Sequence, residues 1–516
     1  MLLPKRKEKE KVKNKLLVLA VALIAIMATT LMPVSIAGTT IPTLNRTSIA
    51  YDVDPAKAEC FSVWDEWCEL PEGTVPFNVD MVDAEKVCYD GEGIYVAVLD
   101  TGILTDWMNF FPPGTVEIDW SLAKGFTHDY YFDTTVGDFV MGPLRDDRGP
   151  FTHDLLNPTP VIGPDNTFYG YLNSSYYLNY PAVGPSGWGS GHGTHVQSII
   201  TGWKLERDQS FWVRGVAPKV TIIPVLVLDD WLFFDGEWNL YFDHGGTWEM
   251  IAAGIEYIGD LADELGIKII INMSLGGGSP SQMIEDAIDY AISKGVIVIA
   301  SAGNEGYDGM GWPGAHPQVI SVAAAGWTQE FLPYYTGEPD PWYWWTNDVP
   351  ENFWTDDPLG NEFQLYLTDF SSRPNPELGQ KTCYLDVSAP GAAVRGPYKD
   401  YGPTLSGYYA VWGTSQAAPH IAGIAALVLD KCPTIKQGKM EIIMKWAGLF
   451  NRLTKFFEKE RSATIFDIFA WPYYPEYFLL EQTWLWKDYG TGLVQADTAL
   501  MLTWLHTGFS GHIKHK

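Results

Sequence analysis

Residues 269–300 read IIINMSLGGGSPSQMIEDAIDYAISKGVIVIA. Two short apolar runs, Ile269 to Met273 and Val296 to Ala300, flank a segment with helical periodicity. Ser279 is a suitable N-cap, Pro280 suits the first helical position, and Gly295 suits the stop. Met283, Ile284, Ala287, Ile288, Ala291 and Ile292 fall on one face of that helix. The pattern extends outward: Ile94 to Leu99, which ends at Asp100, and Val220 to Leu228 are further apolar runs. Apolar strands alternating with helices predict an α/β fold, a doubly wound, mainly parallel sheet with helices on both faces. Ligands of such sheets gather at the C-terminal ends of the strands, so the polar residues closing these runs are candidates for chemistry.

Composition frames the rest. The 516 residues are 46% apolar and 19% charged, which excludes a disordered chain. A Lys-rich run, Lys5 to Lys15, precedes an uncharged apolar stretch from Leu16 to about Met32 and small residues ending Ser35-Ile36-Ala37. That order predicts a secretory signal cleaved after Ala37, with a signal anchor as the rival reading. Residues 1–37 carry seven basic and two acidic side chains, +5, so the rest carries −29 − 5 = −34. A surface so acidic disfavours nucleic acid and anionic lipid, so neither is expected as a partner. Outside the cell the five cysteines (Cys60, Cys68, Cys88, Cys383 and Cys432) can form disulfides, and their odd number leaves at least one unpaired within the chain.

Three strand or helix ends carry reactive side chains. Asp100 closes the first run in Val98-Leu99-Asp100-Thr101-Gly102. His192 stands in Gly191-His192-Gly193-Thr194-His195, ahead of a helical pattern from Val196 to Thr201. Asn304 follows the last run in Ser301-Ala302-Gly303-Asn304-Glu305-Gly306. A fourth site, Gly413-Thr414-Ser415-Gln416-Ala417-Ala418-Pro419-His420, puts a serine ahead of a helix rich in small apolar residues. Its backbone N–H then lies at a helix N-terminus, where negative charge is favoured. Pro419 is read there as a first-turn proline. Acid, base, nucleophile and amide donor are all present.

This set, in the order Asp, His, Ser, resembles the subtilisin-like serine peptidases (the subtilase superfamily). Further motifs match in order: Gly215-Val216-Ala217-Pro218, Asn272 to Gly277, Gly311-Trp312-Pro313-Gly314, Leu385 to Gly391 and Gly492 to Ala496. The resemblance runs from about Val75 to Leu500 and implies a catalytic domain over residues 75–505, with a tail at 506–516. It implies Ser415 as nucleophile, His192 as general base, Asp100 as its partner, and Asn304 with the Ser415 N–H as the oxyanion hole. It implies protein or peptide substrates, bound along the edge Ser274-Leu275-Gly276 opposite Val227 to Asp230, with Gly311 at the floor of the main specificity pocket. A glycine floor predicts broad specificity, with a large apolar residue before the scissile bond. Acidic Asp229, Asp230, Glu237 and Asp243 near the groove in sequence support the alternative of a basic-residue-specific processing peptidase. The resemblance implies no cofactor for the chemistry and a structural calcium as the family's common metal, with Asp106, Asp146 and Asp147 suggested by composition alone. Secretion or retention at the cell surface follows from the leader.

The chain departs from the family in three respects. Gln416 stands where many relatives carry methionine, an oxidation liability. Residues 38–74 are short for a folded propeptide and are read as a reduced pro-segment or an N-terminal extension. Insertions are expected at about 104–188, 327–368 and 439–486, the second rich in tryptophan (Trp342, Trp344, Trp345, Trp354). An inactive relative that binds envelope partners through these aromatics is the reading from a different class of function. Asn45 and Asn173 lie in glycan-acceptor triplets; Asn272 fits the same pattern but is expected to be buried.

Overall fold

The computed structural model describes residues 75–133, 138–150, 160–162, 168–171, 190–206, 210–234, 240–327, 365–399, 406–450 and 486–503. All of them belong to the unit Val53–Lys516. The expected leader, residues 38–74, the tail and most of the second and third insertions lie outside the described residues.

The principal elements are β1 (Tyr95–Asp100), β2 (Lys124–Asp133), β3 (Asp138–Arg148), α1 (His192–Thr201), β4 (Thr221–Leu226), α2 (Trp248–Leu265), β5 (Ile269–Met273), α3 (Gln282–Ser293), β6 (Ile297–Ser301), β7 (Ile320–Trp327), β8 (Leu365–Leu367), β9 (Val387–Pro390), β10 (Val394–Tyr398), β11 (Gly407–Val411), α4 (Thr414–Lys431), α5 (Gln437–Phe450) and α6 (Ala496–Leu502). The main sheet runs β8-β7-β6-β5-β1-β4-β2-β3, with β9 beside β7. Its pairs are parallel except at β7–β8 and β2–β3. At the centre, Val98 pairs with Asn272 and Asp100 with Leu226. Strands β2 and β3 fall within the expected first insertion, which therefore adds sheet rather than loop alone.

Alternation along each strand divides the core in two. Val96, Val98, Ile270, Ile297 and Ile299 face α1, α4, α5 and α6. Ala97, Leu99, Ile269, Ile271 and Val298 face α2 and α3. The doubly wound reading is thus what the chain adopts. Helix α3 starts two residues later than expected: its N-cap is Ser281, and Ser279 and Pro280 precede the helix. Gly295 ends it with φ +92°, the left-handed conformation that favours glycine. Helix α2 is absent from the sequence reading, although Thr247 caps it by accepting from Met250 N–H and Gly266 ends it at φ +64°.

The N-terminal described segment is stitched to the body. Gln495 Nε2 donates to the Met81 carbonyl at 2.6 Å, Ala496 N–H to Val82 at 2.7 Å and Arg214 to Ala84 at 3.1 Å. Cys88, just past this segment's short helices, is disulfide-bonded. Cys383 and Cys432 carry free thiols. Alkylation of the unreduced native protein is expected to modify exposed Cys383 and to leave Cys88 unmodified until a reductant is added. Modification of Cys88 without reduction contradicts the assignment.

Candidate active site

Asp100 stands at the C-terminal end of β1, Asn304 follows that of β6, and Ser415 is bonded to Ser274 just past β5. Asp100 is the last residue of β1 and His192 the first of α1. His192 Nδ1 donates to Asp100 Oδ1 at 2.8 Å. The Asp100 carboxylate is fully buried, and its Oδ1 also accepts the Thr101 N–H at 2.7 Å. Thr101 does more: its hydroxyl donates to the Ser190 carbonyl at 3.0 Å and accepts the Gly193 N–H at 3.0 Å. One residue thereby clamps the strand end to both sides of His192. Gly193 is required by the same closeness, since a Cβ there would stand 2.3 Å from the Gly102 carbonyl oxygen. Burial disfavours the His192 cation. The Asp100 charge and the hydrogen bond outweigh it, so the imidazole pKa is held above its ordinary 6.5.

Helix α4 begins at Thr414, so Ser415 lies in its first turn, where backbone N–H groups have no partner inside the helix. Pro419 consequently falls in the second turn and not the first, which corrects the sequence reading. The Ser415 hydroxyl donates to the Ser274 carbonyl at 3.2 Å. Asn304 accepts at Oδ1 from Thr414 N–H (2.9 Å) and the Thr414 hydroxyl (3.0 Å). Those bonds fix which end of the amide is which and leave Nδ2 as a donor without a partner among the described residues. A Cβ at Gly413 would stand 2.8 Å from Gln416 Oε1, so a larger residue there presses on the Gln416 side chain. Glu305 holds the loop from behind: its carboxylate accepts from Asn304 N–H at 2.7 Å and from the Ser372 hydroxyl at 2.9 Å. Gln416 is buried, and its Nε2 finds no partner among the described residues.

The expected substrate edge follows β5. Gly277 exchanges both backbone hydrogen bonds with Trp312 at 2.8 Å, while Gly276 stays exposed and Leu275 is buried. A Cβ at Gly311 would lie 3.8 Å from Gly276 Cα and 3.7 Å from Gly303 Cα. Residue 311 therefore sits between the two backbone segments. Asn272 is buried, as expected for a triplet that takes no glycan.

The other histidines near the site are buried and neutral. His195 Nε2 meets the Val394 carbonyl at 3.2 Å; burial and the neighbouring His192 push its pKa down to about 3. His420 donates from Nδ1 to the Gln416 carbonyl at 2.8 Å and accepts at Nε2 from Asn78 at 2.9 Å. Burial pushes its pKa down to about 3 as well. The calcium candidates are engaged elsewhere. Asp146 pairs with Lys124 at 2.9 Å and Asp147 with Arg145 at 2.8 Å, while Asp106 accepts from Ser406. Among the described residues no three acidic, histidine or cysteine side chains converge as a metal site requires.

Comparison with known proteins gives the family. The subtilase family model matches residues 91–453, and the chain belongs to that family. It is 32% identical over 250 residues to a subtilisin of Bacillus sp. (strain TA39), covering 47% of each chain. It is 31% identical over 256 residues to subtilisin DY of Bacillus licheniformis, covering 49% of this chain and 68% of that one. Fervidolysin of Fervidobacterium pennivorans matches at 28% over 396 residues, 74% of this chain and 43% of that one. The chain spans about half the length of most of these relatives.

Two buried neutral histidines give stability a defined pH dependence. Both have folded-state pKa values near 3 against 6.5 when free. Below pH 6.5 the unfolded chain binds protons that the folded chain refuses. Each histidine therefore removes about 1.4 kcal/mol per pH unit as pH falls from 6.5 toward 3, and neither changes stability above 6.5. Urea unfolding between pH 7 and 5 is expected to show this slope. His420→Gln, which can donate to Gln416 and accept from Asn78, is expected to reduce it by about one histidine's share. An unchanged slope contradicts the burial of a neutral His420.

Proposed function

We propose that this chain is a secreted serine endopeptidase. It hydrolyses protein and peptide substrates through an acyl-enzyme at Ser415. The observation that carries the reading is the hydrogen bond from His192 to buried Asp100 at the C-terminal end of the central strand; the bonds from Ser415 to Ser274 and from Thr414 to Asn304 support it. His192, neutral at Nε2, takes the Ser415 proton as Oγ attacks the scissile carbonyl carbon. The Asp100 carboxylate stabilises the imidazolium that results and keeps the ring in the right tautomer. Charge on the former carbonyl oxygen meets Asn304 Nδ2 and the Ser415 N–H. The tetrahedral species collapses as His192 hands its proton to the departing amine, leaving the acyl group on Oγ. Water repeats the sequence, giving its proton to His192 and releasing the acid. No cofactor enters any step, and a structural calcium stands outside the chemistry.

The glycine position at 311, between Gly276 and Gly303, supports a slot for a flat or extended apolar side chain before the cut bond. Preference for basic residues is the second reading, supported by the acidic positions Asp230 and Asp243 on the paired strands Asp229–Phe234 and Leu240–Gly245.

Labelling with a fluorophosphonate tests the assignment: one adduct at Ser415, absent in His192→Ala, is expected. Well-folded protein that takes no label is instead a binding protein. Asn304→Ala is expected to keep KM and lose roughly 10²–10³ in kcat, the loss known for such a donor in subtilisin; wild-type turnover contradicts its role. In a peptide panel, cleavage after Phe and Leu supports the apolar slot, and cleavage confined to Arg and Lys replaces it with the second reading.

A further inference from the structure

In an α-helix the carbonyl of residue i accepts from the N–H of residue i+4. For Ser415 that donor would belong to residue 419, which is Pro419 and has none. A proline ring inside a helix also presses on the carbonyl four residues before it. The nucleophile's own carbonyl thus lacks its i+4 helical partner. Its replacement comes from the sheet. Ser274 Oγ donates to the Ser415 carbonyl at 2.7 Å, and Asn272 Nδ2 donates to Ser274 Oγ at 3.0 Å. Both side chains are buried. Asn272 is held in the middle of the sheet, in register with Val98 on one side and Ile299 on the other. Ser274 is the first residue past β5. The contact is reciprocal, because the Ser415 hydroxyl rests on the Ser274 carbonyl.

We propose that Ser274, oriented by Asn272, is a positioning residue for the nucleophile, supplying to the Ser415 carbonyl the hydrogen bond that Pro419 withholds. The bond fixes the Ser415 backbone, from which both the attacking Oγ and the oxyanion-binding N–H project. A buried carbonyl without a partner drives rearrangement until it finds one. Without Ser274 Oγ, the first turn of α4 tilts, and hydroxyl and N–H leave their working places together. The role rests on the serine-peptidase reading and adds to it a second function for Ser274, beyond its backbone edge.

A double-mutant cycle tests this, because Pro419→Ala restores an N–H at position 419. Ser274→Ala is expected to lower kcat roughly tenfold with KM within about twofold of wild type. In the Pro419→Ala background the same substitution is expected to cost less than about threefold, since the restored N–H at position 419 takes the carbonyl. Enzyme concentrations are set by fluorophosphonate titration, so only reactive protein is counted. If Ser274→Ala does not accumulate folded, accumulation of Ser274→Ala/Pro419→Ala is the same compensation read in stability. Equal losses in both backgrounds, a loss carried by KM, wild-type turnover in Ser274→Ala, or failure of both variants to fold overturns the proposal. Should wild-type protein neither label nor hydrolyse, the peptidase reading falls. The cycle in melting temperature then still reports on the carbonyl: coupling supports the Ser274 bond, and additivity overturns it.

Discussion

The hydrogen bond between His192 Nδ1 and Asp100 Oδ1 joins the end of the central strand to the start of a helix. It sets conditions that much of the surrounding structure meets. A fully buried carboxylate is costly unless nearby donors compensate it. The Thr101 N–H is one, and the Thr101 hydroxyl brings the loop before α1 close enough for the imidazole to be the other. The closeness that serves the charge also forces glycine at position 193. Strand β1 can end at such a place because it lies between β4 and β5, with apolar side chains on both of its faces.

Across the same edge the chain satisfies backbone groups in unusual ways. In the first turn of α4 the Thr414 N–H donates to Asn304, while the carbonyl at Ser415 looks to the sheet because of Pro419. The Asn304 amide is oriented by Thr414, one residue before the nucleophile. Donor and nucleophile, on different elements, are therefore linked through Thr414. His420 extends this from below. It ties the Gln416 carbonyl to Asn78, so the segment just past residue 74 contributes to the placement of the helix.

Much of this was legible in the sequence. The runs before Asp100 and before Ala300 are apolar because β1 and β6 are covered on both faces, and such runs read directly as central strands. The helix between β5 and β6 was legible in its face and its stop. Its start was displaced because Ser279-Pro280 and Ser281 offer competing starts, and the choice depends on how the loop after Gly277 pairs with Trp312. Strand β2 was hidden inside an expected insertion, since its mix of aromatic and charged residues gives no clean alternation. The first-turn reading of Pro419 failed because the helix starts at Thr414, whose side chain is held by Gly303 and Asn304. The bond from Ser274 to Ser415 spans 141 positions, and no local pattern announces it. Nor does a histidine in a sequence declare its burial: His195 and His420 are neutral because of what covers them, which only the fold supplies.

If the Asp100–His192 pair governs the site as described, its shared proton is the quantity to follow. Low-field proton NMR of the unliganded protein should resolve the His192 Nδ1–H resonance. The account predicts a resonance that titrates with a midpoint above 6.5 and disappears in Asp100→Asn. A midpoint below 6.5, or a resonance unaltered by Asp100→Asn, would contradict it.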